Sequence, residues 1–471
     1  MVNDDNANGG NQSTDKTKGE KLNNEKSGRV DRRTFLRATG SGVALSAVAG
    51  CTGGDGGDGG DGGDGGDGGD GGDGGTPTGT PTPSITGPIT IGAMGPADAP
   101  FGSSIFNAVD LAVNEINDEG GIEGAELEVI TKDTKDDPGT ARQGYQELTT
   151  GENVAATFGI FGSEQLLALM PNIAQQETVH LTAGAATPDA PAQVKSDYDR
   201  FKYWFRVGPV NSTFLAESMI LFAQDYFDSM GWETIGIIVE DFKWTEPVSS
   251  ILNERFTDEV DVEVVYDQRI AEGTEDFTPV YDELENAGVD GLYTALAHIG
   301  TTSLVQWAQQ QRPFGYGGIH VPTQLPSFFA ATQGAAISTF SQTTATPQSE
   351  VTDKTIPFAN AYNEANDGYP VYNGYSAYDA VYMYKEAVEA AGTLDSDAVV
   401  SELEAMTYTG ASGNIEFYGQ DEEFPHDVRF GADYAQGVFF QWQTDDEGNG
   451  VQEVLWPDNL ATTEYQPPPW A

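Results

Sequence analysis

Apolar residues between positions 88 and 321 follow two alternating spacings. Short apolar runs, typical of buried strands, are followed by stretches in which apolar residues recur every three or four positions, as on one face of a helix. The first helical stripe comprises Ile105, Ala108, Val109, Ala112, Val113 and Ile116. The alternation predicts strands at 88–94, 127–131, 154–158, 179–182, 234–239, 262–266, 291–295 and 318–321. It predicts helices from Ser103 or Ser104 onward and at 138–148, 163–176, 211–229, 246–257, 277–287 and 301–310.

This order of elements predicts the fold class. A strand, a helix and a strand in repeated succession form parallel sheets with helices on both faces, which is an α/β fold. The pattern restarts after Phe205-Arg206-Val207-Gly208. The sequence therefore predicts two doubly wound lobes.

The first 84 residues are predicted to be an export signal followed by a tether. Arg32 and Arg33, followed by Thr34-Phe35-Leu36, resemble a twin-arginine export signal, and Val48-Ala49-Gly50-Cys51 resembles a lipoprotein cleavage site. Cys51 is the only cysteine, so we expect a lipid on it and no disulfide. Residues 1–50 are thus predicted to be a disordered start plus signal, and residues 51–84 a Gly/Asp- and Thr/Pro-rich tether.

The charge balance is extreme and excludes some partners. The chain has 74 acidic and 22 basic residues, a formal net charge of −52. We expect no binding to nucleic acid, and contact with the membrane only through the lipid. Self-repulsion of this size is screened at molar salt, where the Debye length is about 3 Å, so the composition indicates a halophilic protein.

The sequence contains no recognisable motif for a catalytic, nucleotide-binding or metal site. The glycine patterns that bind dinucleotides or phosphates are absent, as is the Gly-x-Ser-x-Gly turn of serine hydrolases. The four histidines are scattered without metal-ligand spacing. We therefore expect no catalytic residue, no metal and no cofactor, although a secreted α/β enzyme that turns over a small amide stays as a third hypothesis.

Several short segments together resemble the branched-chain amino-acid-binding proteins of ABC transporters, which are type I periplasmic solute-binding proteins. The segments are Ile91–Pro96, Phe101-Gly102, Ala112–Asn117, Gly120–Gly124, Asp133–Pro138, Gly184-Ala185-Ala186-Thr187-Pro188, Tyr375–Val381 and the spaced Gly410, Gly413, Ile415 and Phe417. They span nearly all of residues 88–445. The resemblance implies two lobes joined by three crossovers, lobe one at 85–208 and 343–433, lobe two at 209–342 and 434–458, with a tail at 459–471.

The resemblance also implies a function outside the cell. The protein would be anchored to the outer face of the membrane and would bind an amino acid or a related small polar solute for an ABC permease. A second hypothesis keeps the fold and makes the ligand-bound protein the partner of a membrane chemoreceptor.

Candidate ligand-binding residues follow the predicted strands. In parallel sheets ligands bind beyond the carboxyl ends of strands. Gly162 and Ser163 begin a helix whose hydroxyl, free amides and dipole favour a carboxylate. By resemblance, Thr187 (or, one residue earlier, Ala186) contacts the same group and the Ala185 carbonyl accepts from an amino group. Further candidates are Phe101 in the loop after the first strand, Trp244, His298 and Gln324.

Gln324 is a departure from the family pattern. Amino-acid binders of this kind usually carry an acid near 321–325 to hold the ligand ammonium, and here the residue is neutral. Because an unpaired buried ammonium is costly, an amide, a urea-like compound or a carboxylate would fit equally well. Asn211-Ser212-Thr213 is a glycosylation sequon, but we expect Asn211 to cap its helix.

Overall fold

The computed structural model describes residues 85–470, so Arg32, Arg33, Cys51 and the tether lie outside the described residues. The strands are β1 (Ile89–Gly95), β2 (Leu127–Asp133), β3 (Ala156–Gly159), β4 (Val179–Thr182), β5 (Trp204–Arg206), β6 (Thr234–Glu240), β7 (Glu263–Ile270), β8 (Gly291–Leu296), β9 (Gly315–His320), β10 (Phe340–Thr343), β11 (Thr407–Thr409), β12 (Asn414–Glu416), β13 (Val438–Thr444) and β14 (Gly450–Trp456).

Helices lie between most of these strands. They are α1 (Pro100–Asp118), α2 (Pro138–Gln146), α3 (Ser163–Gln176), α4 (Asp189–Ser196), α5 (Tyr198–Phe201), α6 (Ser212–Met230), α7 (Thr245–Val260), α8 (Thr278–Ala287), α9 (Gly300–Gln310), α10 (Phe328–Ala331), α11 (Thr355–Asn366), α12 (Tyr372–Ala391) and α13 (Ser396–Ala405). A π-helical turn at Glu147–Gly151 continues α2, and a 3-10 turn at Val321–Gln324 follows β9. No helix within residues 85–470 is long and apolar enough to cross a bilayer.

Two parallel sheets confirm the predicted α/β class. The first has the strand order β2-β1-β3-β4-β5 and the second the order β7-β6-β8-β9. Each order reverses direction once, between β1 and β3 and between β6 and β8. Such a reversal opens a crevice at the carboxyl ends of the strands, where ligands of parallel sheets bind.

The C-terminal part adds strands that the alternation did not predict. β10, β13 and β14 form an antiparallel sheet. Residues 459–470 continue along it: Gln441 donates to the Gln466 carbonyl, and Trp470 packs on Trp307 with ring centroids 5.0 Å apart. The segment that the sequence leaves as a tail therefore lies against the second sheet and its neighbours.

Buried apolar residues form separate cores around the two parallel sheets. One core comprises residues from 85–207 and 345–435, and the others come chiefly from 210–340 and 439–456. We call the elements packed on the first sheet the first half and those packed on the second sheet the second half. The chain passes between the halves near residues 208, 344 and 436, which gives the three crossovers of the predicted fold class.

Several predicted boundaries differ from the structure, for example β7, which ends at Ile270, and two of the differences have local reasons. Phe101 lies in the first turn of α1, not in a loop, because the helix begins at Pro100, whose fixed φ suits the first helical position. β9 begins at Gly315, three residues earlier than predicted. A Cβ at Gly315 would lie 2.3 Å from the Trp232 ring, so glycines that read as a turn are strand positions covered by aromatic rings.

Candidate functional site

The cleft between the halves is built from loops at the two topological reversals. Gly162 and Ser163 follow β3, Trp244 follows β6, and His298 follows β8. The empty space in the cleft is about 570 Å³ with its open mouth included, and about 50 Å³ of it can hold the centres of water molecules. The total empty space is in the range of small-molecule pockets.

The walls of the cleft are mostly apolar with a few polar groups. The lining residues are Phe161, Gly162, Ser163, Glu164, Gly184, Ala186, Val210, Leu215, Trp244, Ala297, His298, Ile319, Val321, Gln324, Gln342, Thr344 and Tyr372. Such a mixture is typical of a small-molecule site, in which apolar contacts give affinity and polar groups fix orientation.

Ser163 is a hydrogen-bond donor aimed at the cleft. It is the first residue of α3, after the N-cap Gly162, and its side chain is 2 % exposed. Its Oγ accepts from the amides of Ala186 and Thr187 at 3.2 and 3.1 Å. Because these two amides use both lone pairs of the hydroxyl, what remains is its O–H, which can only donate. A carboxylate oxygen is a suitable acceptor for it.

The start of α3 adds to this donor. In the described part of the chain, the backbone amides of Ser163 and Glu164 make no hydrogen bond, as expected for the first turn of a helix. The partial positive charge of the helix N-terminus favours an anion at the same place. Geometry and electrostatics here both fit a carboxylate.

On the opposite wall, a buried carboxylate organises two of the candidate residues. Glu240 ends β6 and is fully buried. Its Oε1 accepts from Trp244 Nε1 at 2.8 Å and lies 2.8 Å from His298 Nδ1. Its Oε2 accepts from the amides of Ala297 and His298. Burial opposes ionisation, but these hydrogen bonds outweigh it and lower the pKa of Glu240 below its usual value.

His298 is held as a cation at the mouth of the two halves. Its Nε2 lies 3.4 Å from Asp136 Oδ2 of the first half, and its ring stacks on Phe242 at 4.0 Å. Burial disfavours the protonated ring, but the hydrogen bonds to Asp136 and Glu240 prevail and raise the pKa of His298 to about 10. At neutral pH the cleft therefore contains a protonated imidazole placed between the carboxyl groups of Glu240 and Asp136.

This charge predicts a pH dependence of ligand affinity. Because the pKa of His298 is raised, the protonated form persists below it and is lost as the pH rises through about 10. We expect the Kd for an anionic ligand, measured by calorimetry at constant high salt, to be flat between about pH 7 and 9 and to rise above that range.

His298→Gln is the matched control because it keeps a donor and removes the titration. It should bind more weakly at pH 7 and lose the step near pH 10. A loss of wild-type affinity between about pH 6 and 7 would instead indicate an ordinary imidazole and contradict the interpretation.

The structure places the remaining predicted residues in different positions. Phe101 does not line the cleft, but it stacks on Phe161, which does, with centroids 4.8 Å apart. Ala185 and Thr187 are buried behind the lining, while Ala186, the alternative position, reaches it. Gln324 lines the cleft, with Nε2 donating to the Gln342 carbonyl and Oε1 accepting from the Tyr372 amide.

Thr187 makes hydrogen bonds within the protein, and its hydroxyl keeps its O–H in the described part of the chain. Its amide donates to Ser163, and its hydroxyl accepts from the Asp189 amide at 3.2 Å, just inside α4. Asn211 is the N-cap of α6, as predicted, with its side chain accepting from Thr213 and donating to Asp427. At 1 % exposure its sequon is inaccessible in this form.

Sequence reasoning missed Glu240, Phe161, Thr344 and Tyr372. Of these, Glu240 carried a signal, because an acid that directly ends a run as apolar as Ile235–Val239 is unusual. Tyr372 donates from its hydroxyl to the Gly184 carbonyl at 2.9 Å. It begins α12, almost two hundred residues after that carbonyl, so no local pattern places it in the cleft.

Polar contacts across the cleft show that the halves are closed on each other. Lys243 of the second half donates from its backbone amide to Glu164 Oε1 at 2.9 Å, and its Nζ lies 3.1 Å from Asp189 Oδ2. The contacts between Gln324 and Tyr372 and between His298 and Asp136 also join the two halves. Closure of this kind encloses a bound solute.

Comparison with known protein sequences gives three matches. A family model described as periplasmic binding protein matches residues 88–432. The leucine-, isoleucine-, valine-, threonine- and alanine-binding protein of Pseudomonas aeruginosa is 23 % identical over 348 residues, which is 71 % of this chain and 84 % of that protein. The chemotactic signal transduction system substrate-binding protein BasB of Halobacterium salinarum is 28 % identical over 119 residues, 24 % of this chain and 29 % of that protein.

Solved structures show the same fold. A putative branched-chain amino acid ABC transporter protein from Silicibacter pomeroyi superposes with a TM-score of 0.68 at 20 % identity, covering 82 % of this chain and 100 % of that one. A solute-binding protein of an ABC transporter from Rhodopseudomonas palustris, in complex with 3,4-dihydroxybenzoic acid, has a TM-score of 0.65 at 18 % identity, covering 81 % and 98 %.

Proposed function

The chain belongs to the periplasmic binding protein family, a solute-binding and non-enzymatic class, and from that premise we propose that it delivers a small carboxylate-bearing solute to an ABC permease outside the cell. The observation that carries the proposal is Ser163, a buried hydroxyl with only its donor free, at the start of α3 in the cleft between the halves. Amino acids and related small acids all supply the carboxylate.

Closure of two lobes is the working motion in this proposal. We assign residues 85–208 and 343–433 to lobe one and 209–342 and 434–458 to lobe two; the separate cores of the two halves support this division. The ligand stabilises the closed form because it contacts both walls there and only one when the lobes are apart. The permease would recognise the closed form.

A membrane-surface location completes the proposal. The twin-arginine pair Arg32 and Arg33 would direct export, and a lipid on Cys51 would hold the protein at the outer face of the membrane. This part rests on the sequence pattern alone. Mass spectrometry of the membrane-extracted protein is expected to find a lipid on Cys51. An unmodified N-terminal segment would contradict the proposed anchor.

The acidity supports a halophilic setting. Residues 85–471 contain 61 acidic and 14 basic residues, so the folded halves repel themselves unless salt screens them. Equal unfolding midpoints in dilute buffer and in molar potassium chloride would contradict this assignment.

One alternative function has an observation in its favour. The match to the chemotaxis protein BasB suggests that the ligand-bound form could signal to a membrane chemoreceptor. A deletion strain distinguishes the two roles: loss of uptake of the labelled solute supports the permease, whereas loss of chemotaxis with intact uptake supports the receptor.

Calorimetry tests the binding function itself. The purified full chain in molar salt would be titrated with amino acids, aliphatic acids and aromatic acids such as benzoate. Saturable binding of at least one acid that also raises the melting temperature is expected. If no carboxylate of the panel binds, the proposal fails.

A further inference from the structure

Free hydrogen-bond donors line the cleft. The Ser163 hydroxyl has only its O–H left, and the first amides of α3 are unbonded. The Thr344 hydroxyl lines the cleft, is 1 % exposed and has no hydrogen-bond partner within the described residues. A buried hydroxyl without a partner is costly and indicates a ligand atom that completes it.

Three of the four backbone carbonyls at 184–187, opposite Ser163, are already engaged; that of Ala185 accepts no hydrogen bond within the described residues. The Gly184 carbonyl accepts from the Tyr372 hydroxyl. The Ala186 carbonyl accepts from Arg206 and from both the amide and the hydroxyl of Ser212. The Thr187 carbonyl accepts from Arg206 as well. In this loop the Ala185 carbonyl is therefore the one backbone acceptor left for an ammonium group, which can donate three hydrogen bonds.

Two carboxylates beside the cleft, those of Glu240 and Asp136, are committed, whereas Glu164 keeps its Oε2 without a hydrogen bond in the described part of the chain. Both oxygens of Glu240 accept two hydrogen bonds each, which fills the four positions of a carboxylate. Asp136 accepts from Gln165 at Oδ1 and faces His298 with Oδ2. Glu164 is the one acid among the cleft-lining residues, and it reaches across the rim to the Lys243 amide.

We propose that the natural ligand is a monocarboxylate with an apolar body and no ammonium group. The inference rests on the proposed binding function and narrows its ligand class. The carboxylate would lie at Ser163 and the α3 amides, and the body against Val210, Leu215 and Ile319. An α-amino acid would instead bury an ammonium beside a loop that offers it one free carbonyl, that of Ala185, and a group left short of hydrogen bonds is unfavourable to bury.

Four molecules on one carbon skeleton separate the two charged groups. They are 4-methylpentanoate with the carboxylate alone, leucine with both groups, leucinamide with the ammonium alone and 4-methylpentanamide with neither. A second pair, 3-phenylpropanoate and phenylalanine, and benzoate extend the test to larger bodies. The Kd of each is measured by calorimetry with the full chain in molar salt.

Within each pair we expect the acid without an ammonium to bind at least about tenfold more tightly than the amino acid, and neither amide to bind. Glu128→Gln, at an exposed position of β2, should leave the affinity for the acids within about twofold and is the control for Glu164→Gln, which removes the acid of the cleft lining. Tighter binding of leucine or phenylalanine, or amino-acid binding that Glu164→Gln abolishes, overturns the inference and leaves the binding function intact. Failure of every carboxylate overturns both.

Discussion

Replacing Ser163 by alanine is expected to weaken binding of a carboxylate ligand by about 10- to 150-fold. The variant removes a buried hydroxyl whose remaining donor faces the cleft, and a hydrogen bond to a charged group contributes about 1.5–3 kcal/mol. It also leaves the amides of Ala186 and Thr187 without their acceptor, so a loss of about 1–3 kcal/mol in the free energy of unfolding should accompany the change.

Two measurements keep these effects apart. Calorimetry well below the unfolding midpoint reports affinity of the folded protein, and urea titration in molar salt reports stability. Ser401→Ala is the matched control, because Ser401 is exposed on α13 and bonds only the Asp397 carbonyl in the described structure. If Ser163→Ala binds as tightly as Ser401→Ala, the carboxylate does not lie at α3.

Replacing Arg206 by alanine is expected to cost about 3–5 kcal/mol in the free energy of unfolding. Arg206 is fully buried, and its Nε lies 3.2 Å from Asp427 Oδ1, an ion-pair distance without the alignment of a hydrogen bond. Burial raises the pKa of Asp427 to about 6 although Arg206 acts to lower it. The variant leaves that carboxylate buried without its cation.

The Arg206 guanidinium also holds one wall of the cleft in place. It donates to the carbonyls of Ala186 and Thr187, the loop whose amides bond Ser163, so Arg206→Ala should weaken ligand binding as well. Arg142→Ala, at an exposed arginine of α2, should change stability by no more than about 0.5 kcal/mol.

A double variant isolates the ion pair from the size of the side chain. Arg206→Met combined with Asp427→Leu replaces both charges by apolar groups and should recover much of the lost stability, because no buried charge is left unpaired. If Arg206→Ala and Arg142→Ala have equal free energies of unfolding, the ion pair between Arg206 and Asp427 does not stabilise the fold.

Local patterns were enough to predict the frame of the first half. α3 at Ser163–Gln176 and β4 at Val179–Thr182 have the predicted bounds, because an apolar stripe and a short β-branched run are signals within a few residues. The position of Ser163 was also predicted from local information, since a polar residue that opens a helix after a buried strand lies at the carboxyl edge of a parallel sheet.

Long-range contacts explain what the pattern did not predict. β10 pairs with β13 almost one hundred residues later, so neither strand has its partner nearby in the sequence. Glu240 is buried only because the loop after β8 supplies two amides and an imidazole. Thr187 stays a predicted ligand residue, but the folded arrangement shows that its amide donates to Ser163 and that its hydroxyl accepts from the start of α4.

A crystal structure of the full chain with 4-methylpentanoate or benzoate tests the central claim most directly. The account predicts the ligand carboxylate within hydrogen-bond distance of Ser163 Oγ and the first amides of α3, with both halves closed around the apolar body. A ligand bound elsewhere, or a carboxylate turned toward the second half with Ser163 facing only protein, would contradict it.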